Sequence, residues 1–159
     1  MTVRLSLLAT LAAAFALATT ATAGAATPPN PCTTVAKADA AKALGAPVTG
    51  VKAGTAGPSA SCTFRGPRLM QAVVVTAFRY DSPADANARF GDMVKQTAAA
   101  MSAPAAKLNG IGDDAVAIFS SVYTRKGPYI YVFNVFGQRN PALTARAGAL
   151  AKATMARIR

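Results

Sequence analysis

Two cysteines, Cys32 and Cys62, place the strongest constraint on how this 159-residue chain can fold. In an oxidising compartment an even number of cysteines indicates disulfide pairing, and two cysteines permit a single connectivity. A redox or metal-binding pair lacks support, because the sequence has no Cys-x-x-Cys motif and no histidine that could share a metal ion. The sequence therefore predicts one disulfide between Cys32 and Cys62.

The first residues have the three parts of a secretory signal peptide, which accounts for the oxidising compartment. A positive start at Arg4 precedes an apolar run from Leu5 to Ala18. Ala21-Thr22-Ala23 fits the small-x-small cleavage rule, and Ala26 is a second cleavage position. The apolar run, about 14 residues long, is shorter than the roughly 20 residues that a membrane-spanning helix needs.

We therefore expect a signal peptide over residues 1–26 and a single domain over residues 27–159, exported to the periplasm or secreted. A domain of about 133 residues is long enough to bury one hydrophobic core. Pro29-Asn30-Pro31 precedes Cys32, whereas a lipoprotein signal has small and apolar residues at those positions. The sequence predicts neither a lipid anchor nor a transmembrane segment in the exported product.

The chain is strongly basic, with a formal net charge of +11, of which the leader contributes only Arg4. Its six carboxylates are all aspartates, and it has no glutamate, histidine or tryptophan. Such a charge attracts anionic envelope components such as phospholipid headgroups, lipopolysaccharide or acidic polymers. Because the basic residues are scattered from Lys37 to Arg159, the alternative remains that they only keep the protein soluble.

Hydrophobic periodicity and turn residues predict helices and strands in the order α-β-β-β-α-β-β-β-α. In chain order the predicted elements are a helix over Thr34–Leu44, strands over Val48–Lys52, Cys62–Arg65 and Leu69–Tyr80, a helix from Ser82 that ends before Pro104, strands over Ala115–Phe119, Val122–Arg125 and Tyr129–Phe136, and a helix that begins at Asn140-Pro141. Ala53–Ser61 is predicted to be a flexible loop. Strands joined by short turns favour antiparallel pairing, so we predict an α+β fold with helices packed on an antiparallel sheet.

The same periodicity predicts which side of each element is buried. For the strand Leu69–Tyr80 the predicted core side consists of Met70, Ala72, Val74, Phe78 and Tyr80. For the central helix it consists of Ala86, Phe90, Met93, Thr97 and Ala100, and for the last helix of Leu143, Ala147, Leu150, Ala151, Thr154 and Ile158.

The turn Asn109–Ala115, Asn-Gly-Ile-Gly-Asp-Asp-Ala, contains two of the six carboxylates and two glycines that allow positive φ angles. It matches a variant of the dinucleotide-binding fingerprint, but here a strand follows instead of a helix, and two carboxylates would repel phosphate. Asn109, Asp113 and Asp114 could bind a calcium ion, although their spacing is not that of an EF-hand loop. The alternative is a structural turn in which the aspartates accept hydrogen bonds from local backbone amides.

Tyr129, Tyr131 and Phe133 share one side of their predicted strand, close to Arg125 and Lys126. If the other side is core, they form a partly exposed surface, and aromatic residues beside basic ones bind sugars, proteins or nucleic acid. Export argues against nucleic acid and favours a glycan or a protein. The alternative is a strand that helices bury on both sides.

Common catalytic arrangements are absent from the sequence, which predicts a protein that is not an enzyme and has no cofactor. Without histidine there is no Ser-His-Asp or Cys-His arrangement. The exported region also lacks the Gly-x-Ser-x-Gly and Ser-x-x-Lys motifs. Asp113 and Asp114 are the only adjacent carboxylates, and neighbours on a strand point to opposite sides, where they cannot readily flank one bond.

Five features of the sequence together resemble a pattern in small exported bacterial domains of unknown function. They are the leader, Pro31-Cys32, the helix end Ala43-Leu44-Gly45, Cys62-Thr63-Phe64 and the segment Leu108–Ala115. These domains are most familiar as actinobacterial lipoproteins and are distantly similar to the extracellular sensor domains of mycobacterial serine/threonine kinases. The resemblance implies a compact α+β domain that binds a ligand or partner, and it brings no catalytic residues. The chain departs from the pattern because it lacks a lipoprotein cysteine and a transmembrane anchor, so the resemblance does not imply membrane tethering or kinase signalling.

We therefore expect an exported, non-enzymatic, sensor-like domain that binds an envelope ligand or protein. The candidate binding residues are Tyr129, Tyr131, Arg125, Lys126, Asp113 and Asp114. The alternative is a basic envelope-associated structural protein that binds anionic glycans or lipid headgroups by charge. An unusual aspartate-dependent hydrolase is a third hypothesis.

Overall fold

The computed structural model describes residues 27–137 and 142–158. Its elements in chain order are α1 (Pro31–Thr34), α2 (Lys37–Leu44), β1 (Gly50–Ala56), β2 (Ser59–Arg65), β3 (Ala72–Arg79), α3 (Pro83–Ala100), β4 (Ala106–Lys107), β5 (Asp114–Ile118), β6 (Ser121–Lys126), β7 (Tyr129–Phe136) and α4 (Ala142–Met155). The α+β class is confirmed. The predicted order holds with two differences, because the first helix is divided into α1 and α2 and the short strand β4 is added.

The strands of the described part form one antiparallel sheet in the order β1-β2-β3-β7-β6-β5-β4. Most neighbours in this order are also consecutive in the chain. The exception is the pairing of β3 with β7, which runs from Ala72 opposite Phe136 to Arg79 opposite Tyr129. This pairing joins the antiparallel strands β1–β3 to the antiparallel strands β4–β7.

Two hydrophobic clusters lie on opposite sides of the sheet, because successive side chains of a strand point to opposite sides. The larger cluster packs α1, α2 and α4 against one side, where Val73, Tyr131 and Phe133 are fully buried. The smaller cluster packs α3 against β5, β6 and β7 through residues such as Phe90 and Ile130. We call these sides the three-helix face and the α3 face.

Several helix ends match the sequence predictions. Ser82 Oγ accepts a hydrogen bond from the Asp85 amide at 3.1 Å, and Pro83 occupies the first turn of α3. Gly45 ends α2 in the left-handed conformation, with φ of 67°. The predicted start of the last helix at Asn140-Pro141 lies outside the described residues, as does the predicted signal peptide over residues 1–26.

The segment Ala53–Ser61 is not the flexible loop that its composition predicts. It contains the end of β1 and the start of β2, which pair along their whole length and turn at Gly57-Pro58. The Ser59 hydroxyl donates to the Ala56 carbonyl at 2.8 Å and closes the turn. The sequence does not predict this hairpin because its residues are small and have little strand propensity of their own. β1 is a strand because it pairs with β2, and strand propensity depends strongly on such context.

The predicted core side of β3 is also wrong. The fully buried side chains of β3 are Val73, Val75 and Ala77, which point to the three-helix face. The predicted set points to the α3 face, where burial is partial, and Met70 lies outside the strand in an exposed loop. Because β3 is apolar on both sides, alternation in its sequence cannot show which side is more deeply buried.

The predicted buried sides of the two long helices are largely correct. In α3, Ala86 and Phe90 are buried, Met93 and Thr97 are partly buried, and Ala100 is exposed. In α4 the buried residues include Ala147, Leu150, Ala151 and Thr154, as predicted.

The predicted disulfide between Cys32 and Cys62 is present and connects α1 to β2. Its cysteines are 30 residues apart in the sequence. Closing a loop of this length lowers the entropy of the unfolded chain, so we expect reduction to lower the free energy of unfolding by about 3 to 4 kcal/mol. Urea unfolding with and without reductant measures this difference. The double variant Cys32→Ser/Cys62→Ser is the control, because reductant should not change its unfolding midpoint.

Gly110 and Gly112 both have positive φ angles, 72° and 62°. A Cβ on Gly112 would lie 2.4 Å from the Arg125 carbonyl oxygen, whereas a Cβ on Gly110 would have no atom within 4 Å. We expect Gly110→Ala to cost about 1 kcal/mol from its backbone conformation alone, and Gly112→Ala to cost clearly more because the turn must also move. Urea unfolding of both variants tests this, and equal losses would contradict the close approach at Gly112.

Candidate functional site

α3 covers only about half of its side of the sheet. It lies over β5, β6 and β7, while no helix of residues 27–137 and 142–158 covers the same side of β1, β2 and much of β3. Ser61, Thr63 and Thr76 point to this open side and are only partly buried. Their hydroxyl groups form a polar floor beside α3.

A cleft of about 210 Å³ lies where α3 faces the end of β3. Its lining residues are Tyr80, Arg89, Asp92, Met93, Gln96 and Thr97. The five helical residues recur at spacings of three and four, which places them on one side of successive helical turns. Met93 supplies an apolar wall, and the other side chains can donate or accept hydrogen bonds.

The polar groups of the cleft are not engaged with the rest of the described chain. Arg89 and Asp92 are exposed, and neither makes an ion pair with another described residue. Burial raises the pKa of the Tyr80 hydroxyl, and the nearby Arg89 guanidinium partly offsets that effect. Tyr80 is therefore protonated at neutral pH and can donate a hydrogen bond. The cleft offers a cation, an anion and a neutral donor within a small space.

A second cavity, of about 100 Å³, lies between α2 and α4. It is lined in part by Asp39, Lys42 and Arg146. Asp39 already pairs with Arg157 and lies 3.9 Å from the Lys42 ammonium group. Because Asp39 is already paired, this cavity is better explained as a seam between two packed helices than as a ligand site.

The sequence-predicted site residues Asp113 and Asp114 have structural contacts. Asp113 Oδ2 accepts hydrogen bonds from the Gly127 amide at 2.7 Å and from Arg125 Nη1 at 3.1 Å, and so connects two turns. Asp114 Oδ1 accepts from the Ala115 amide at 3.0 Å. These contacts are those of the structural turn. No group of three aspartate or cysteine side chains in the described part of the chain is placed to hold a metal ion.

Arg125 and Lys126 point to opposite sides of the sheet, as adjacent strand residues do. The Lys126 ammonium donates to the carbonyl oxygens of Met155, at 3.0 Å, and Ile158. It therefore satisfies backbone groups at the carboxyl end of α4 and complements the helix dipole. Arg125 lies on the α3 face and pairs with Asp113. The two residues do not form one basic surface.

Tyr129, Tyr131 and Phe133 do share one side of β7, but it is the three-helix face. Tyr131 is 0% exposed, and its ring centre lies 6.2 Å from that of Phe133. Tyr129 is partly buried, with the Arg79 guanidinium 5.8 Å from its ring centre. The predicted exposed tyrosine surface is therefore wrong. The alternative, a strand whose centre is buried on both sides, is confirmed.

No protein-family model matches the chain, and no curated protein has a significantly similar sequence. The features of the molecule that bear on function are the geometry of the cleft and the distribution of charged and apolar groups.

The sequence alone does not single out the cleft residues. Arg89, Asp92 and Gln96 lie beside the apolar stripe of α3 and have the pattern of an ordinary solvent-facing helix side. They face a cleft because β3 pairs with β7, so that the end of β3 lies beside α3. No local pattern in the sequence predicts that β3 pairs with β7.

The Tyr131 hydroxyl lies in the core without a hydrogen-bond partner among the described residues. Burial, and to a smaller extent Tyr129, raises the pKa of Tyr131 to about 12. The free energy of unfolding is therefore unaffected below pH of about 10, where an unfolded tyrosine is neutral, and falls as the pH rises towards the pKa in the folded state.

We expect Tyr131→Phe to preserve or increase stability at neutral pH, because it removes an unsatisfied buried polar group. The variant should also unfold at a higher alkaline pH than the wild type. Urea unfolding at neutral pH and an alkaline titration followed by circular dichroism provide the two measurements. An unchanged alkaline midpoint would contradict the role of Tyr131.

Proposed function

We propose that this chain is an exported, non-enzymatic, sensor-like binding domain whose ligand occupies the cleft between α3 and β3. The observation that carries the proposal is the set of polar side chains around this cleft, Arg89, Asp92 and Gln96, which have no ion-pair or hydrogen-bond partner among the described residues. The cleft opens on the same side of the sheet as the polar floor of β2 and β3.

Export is supported by the leader pattern at the start of the sequence. The disulfide between Cys32 and Cys62 is compatible with an oxidising compartment. The resemblance to small exported bacterial domains supports the same class of binding protein. In residues 27–137 and 142–158, no helix is long and apolar enough to cross a membrane.

The side chains of the cleft favour a ligand that carries both hydroxyl groups and an acidic group. The planar guanidinium of Arg89 can bind a carboxylate or sulfate through two parallel hydrogen bonds. Asp92 and Gln96 can accept hydrogen bonds from hydroxyl groups of the same ligand. We therefore propose an acidic oligosaccharide of the cell envelope as the ligand class.

A second candidate function is a basic envelope-associated protein that binds anionic surfaces by charge alone. The net charge of +11 supports it. Lys52, Lys95 and Lys152 are exposed and make no ion pair with another described residue. Binding of this kind requires no particular cleft. Its affinity falls as the salt concentration rises, and each basic residue contributes to it in the same way.

Substitutions that remove one positive charge at different places on α3 distinguish the two functions. The probe is a short uronic-acid oligosaccharide, titrated into isotope-labelled protein and followed by NMR. We expect Arg89→Gln to weaken binding by roughly tenfold or more, since it removes a hydrogen bond to a charged group. The matched control Lys95→Gln, on the same helix, should retain nearly all the affinity.

Equal weakening by the two substitutions would support binding by charge and contradict the cleft. A neutral oligosaccharide of the same length is the ligand control and should bind more weakly. The absence of any binding by the acidic oligosaccharide would reject the proposed ligand class.

A further inference from the structure

The large apolar side chains that remain exposed in the described residues all lie at one end of the sheet. They are Leu69, Met70, Phe119, Phe136, Met101 and Val51. Leu69 and Met70 are the most exposed, at 95% and 79%. Single exposed apolar residues are ordinary, whereas a group of them concentrated at one place marks an interaction surface.

The strand register shows why these residues lie together. Arg65 is opposite Ala72, and Ala72 is opposite Phe136, so the β2–β3 loop and the last residue of β7 are level with each other. The β5–β6 turn, which carries Phe119, projects from the same end because its strands continue this ladder. At a strand spacing of about 4.8 Å, these turns span roughly 20 Å across the sheet.

Two of the exposed residues have an unfavourable backbone conformation. Met70 has φ of 64° and Phe119 has φ of 55°, in the left-handed region that large L-residues rarely adopt. Glycine or asparagine would fit either turn with less strain. Strain of this kind is typical of functional positions, because folding alone does not explain a large apolar side chain there.

The loop that carries Leu69 and Met70 is held in place. The Gly66 amide donates to the Gln71 carbonyl at 2.8 Å, and Gln71 Nε2 donates to the Leu44 carbonyl at 3.0 Å. The side chains are therefore presented on a fixed loop instead of being exposed by disorder. A fixed loop loses little conformational freedom when it binds.

Two arginines lie at this end, and none of the carboxylates does. Arg65 and Arg68 are exposed beside the loop. Asp81 and Asp85 lie at the start of α3, and Asp113 and Asp114 precede or begin β5, all at the opposite end of the sheet. Asp92 lies in the middle of α3, and Asp39 pairs with Arg157 beyond the carboxyl end of α4.

We propose that this end, which we call the apolar end, docks onto an anionic phospholipid bilayer. Leu69, Met70 and Phe119 enter the headgroup region, and Arg65 and Arg68 contact lipid phosphates. Apolar side chains combined with basic residues are the composition that binds the interface of anionic membranes. The proposal does not depend on the cleft, which lies elsewhere on the domain.

The shape of the apolar end favours a bilayer over a protein partner. Leu69 and Met70 stand on one turn and Phe119 on another, and side chains on such turns can penetrate a fluid interface separately. A stable protein interface instead needs a continuous, closely packed surface with a desolvated centre. The absence of carboxylates also fits a partner whose surface charge is uniformly negative.

Leu69→Trp provides a local reporter, because the chain contains no tryptophan. We expect its fluorescence to shift to shorter wavelength when vesicles of phosphatidylcholine mixed with phosphatidylglycerol are added, and to change little with phosphatidylcholine alone. Lys152→Trp, near the carboxyl end of α4 at the opposite end of the sheet, is the control and should not shift. A shift of both reporters, or of neither, would overturn the proposal.

Vesicle sedimentation then measures the contribution of individual side chains. We expect Leu69→Gln combined with Met70→Gln to lower partitioning onto the anionic vesicles at least tenfold, and Arg68→Gln to lower it several-fold. Lys152→Gln removes the same charge from another surface and should have a smaller effect than Arg68→Gln. Partitioning that is unchanged by the Leu69 and Met70 substitutions would overturn the proposal in favour of binding by charge alone.

Met70→Gly separates a role in binding from a role in folding. Because Met70 has a positive φ angle, glycine should raise the melting temperature while weakening vesicle binding. A lower melting temperature would show that Met70 serves the fold and would contradict the proposal. A Leu69→Trp shift that depends on protein concentration without vesicles would also contradict it, because the apolar end would then be a contact between copies of the chain.

Discussion

The ladder between β3 and β7 joins two parts of the chain that could otherwise form only local hairpins. It pairs eight residues of each strand, from Ala72 with Phe136 to Arg79 with Tyr129. The sheet that results is wide enough for three helices on one face, whereas α3 is the only helix of the described residues on the other. Both the cleft beside Tyr80 and the open floor follow from that imbalance, since α3 reaches no further than β7 and the border of β3.

Local signals in the sequence predicted much of the fold. The bounds of β7, Tyr129–Phe136, agree with the structure because the Gly127-Pro128 turn and a run of β-branched and aromatic residues define both ends. The start of α3 was predictable from Ser82 and Pro83 for the same local reason. The β1–β2 hairpin was not, because its residues are small and become a strand only when a partner strand is beside them.

The candidate site depends on long-range arrangement, which explains why the sequence pointed elsewhere. The prediction that Tyr131 is exposed requires helices on only one side of its strand. In the structure α4 packs on one side of β7 and α3 on the other, so both sides are buried. Arg125, Lys126 and Asp113 are charged, yet each has a partner that lies far away in the sequence. The polar residues of α3 could not be distinguished from ordinary solvent-facing ones without the position of β3.

The edge strand β1 has a consequence for the behaviour of the protein in concentrated solution. Its outer edge pairs with no strand of the described residues, and its seven residues include a single charged one, Lys52. An unpaired edge of this length is a template onto which a strand of a second molecule can be added. The net charge of +11 opposes such growth by mutual repulsion. Colloidal stability therefore depends on ionic strength, because salt shortens the range of that repulsion to about 10 Å at 0.1 M.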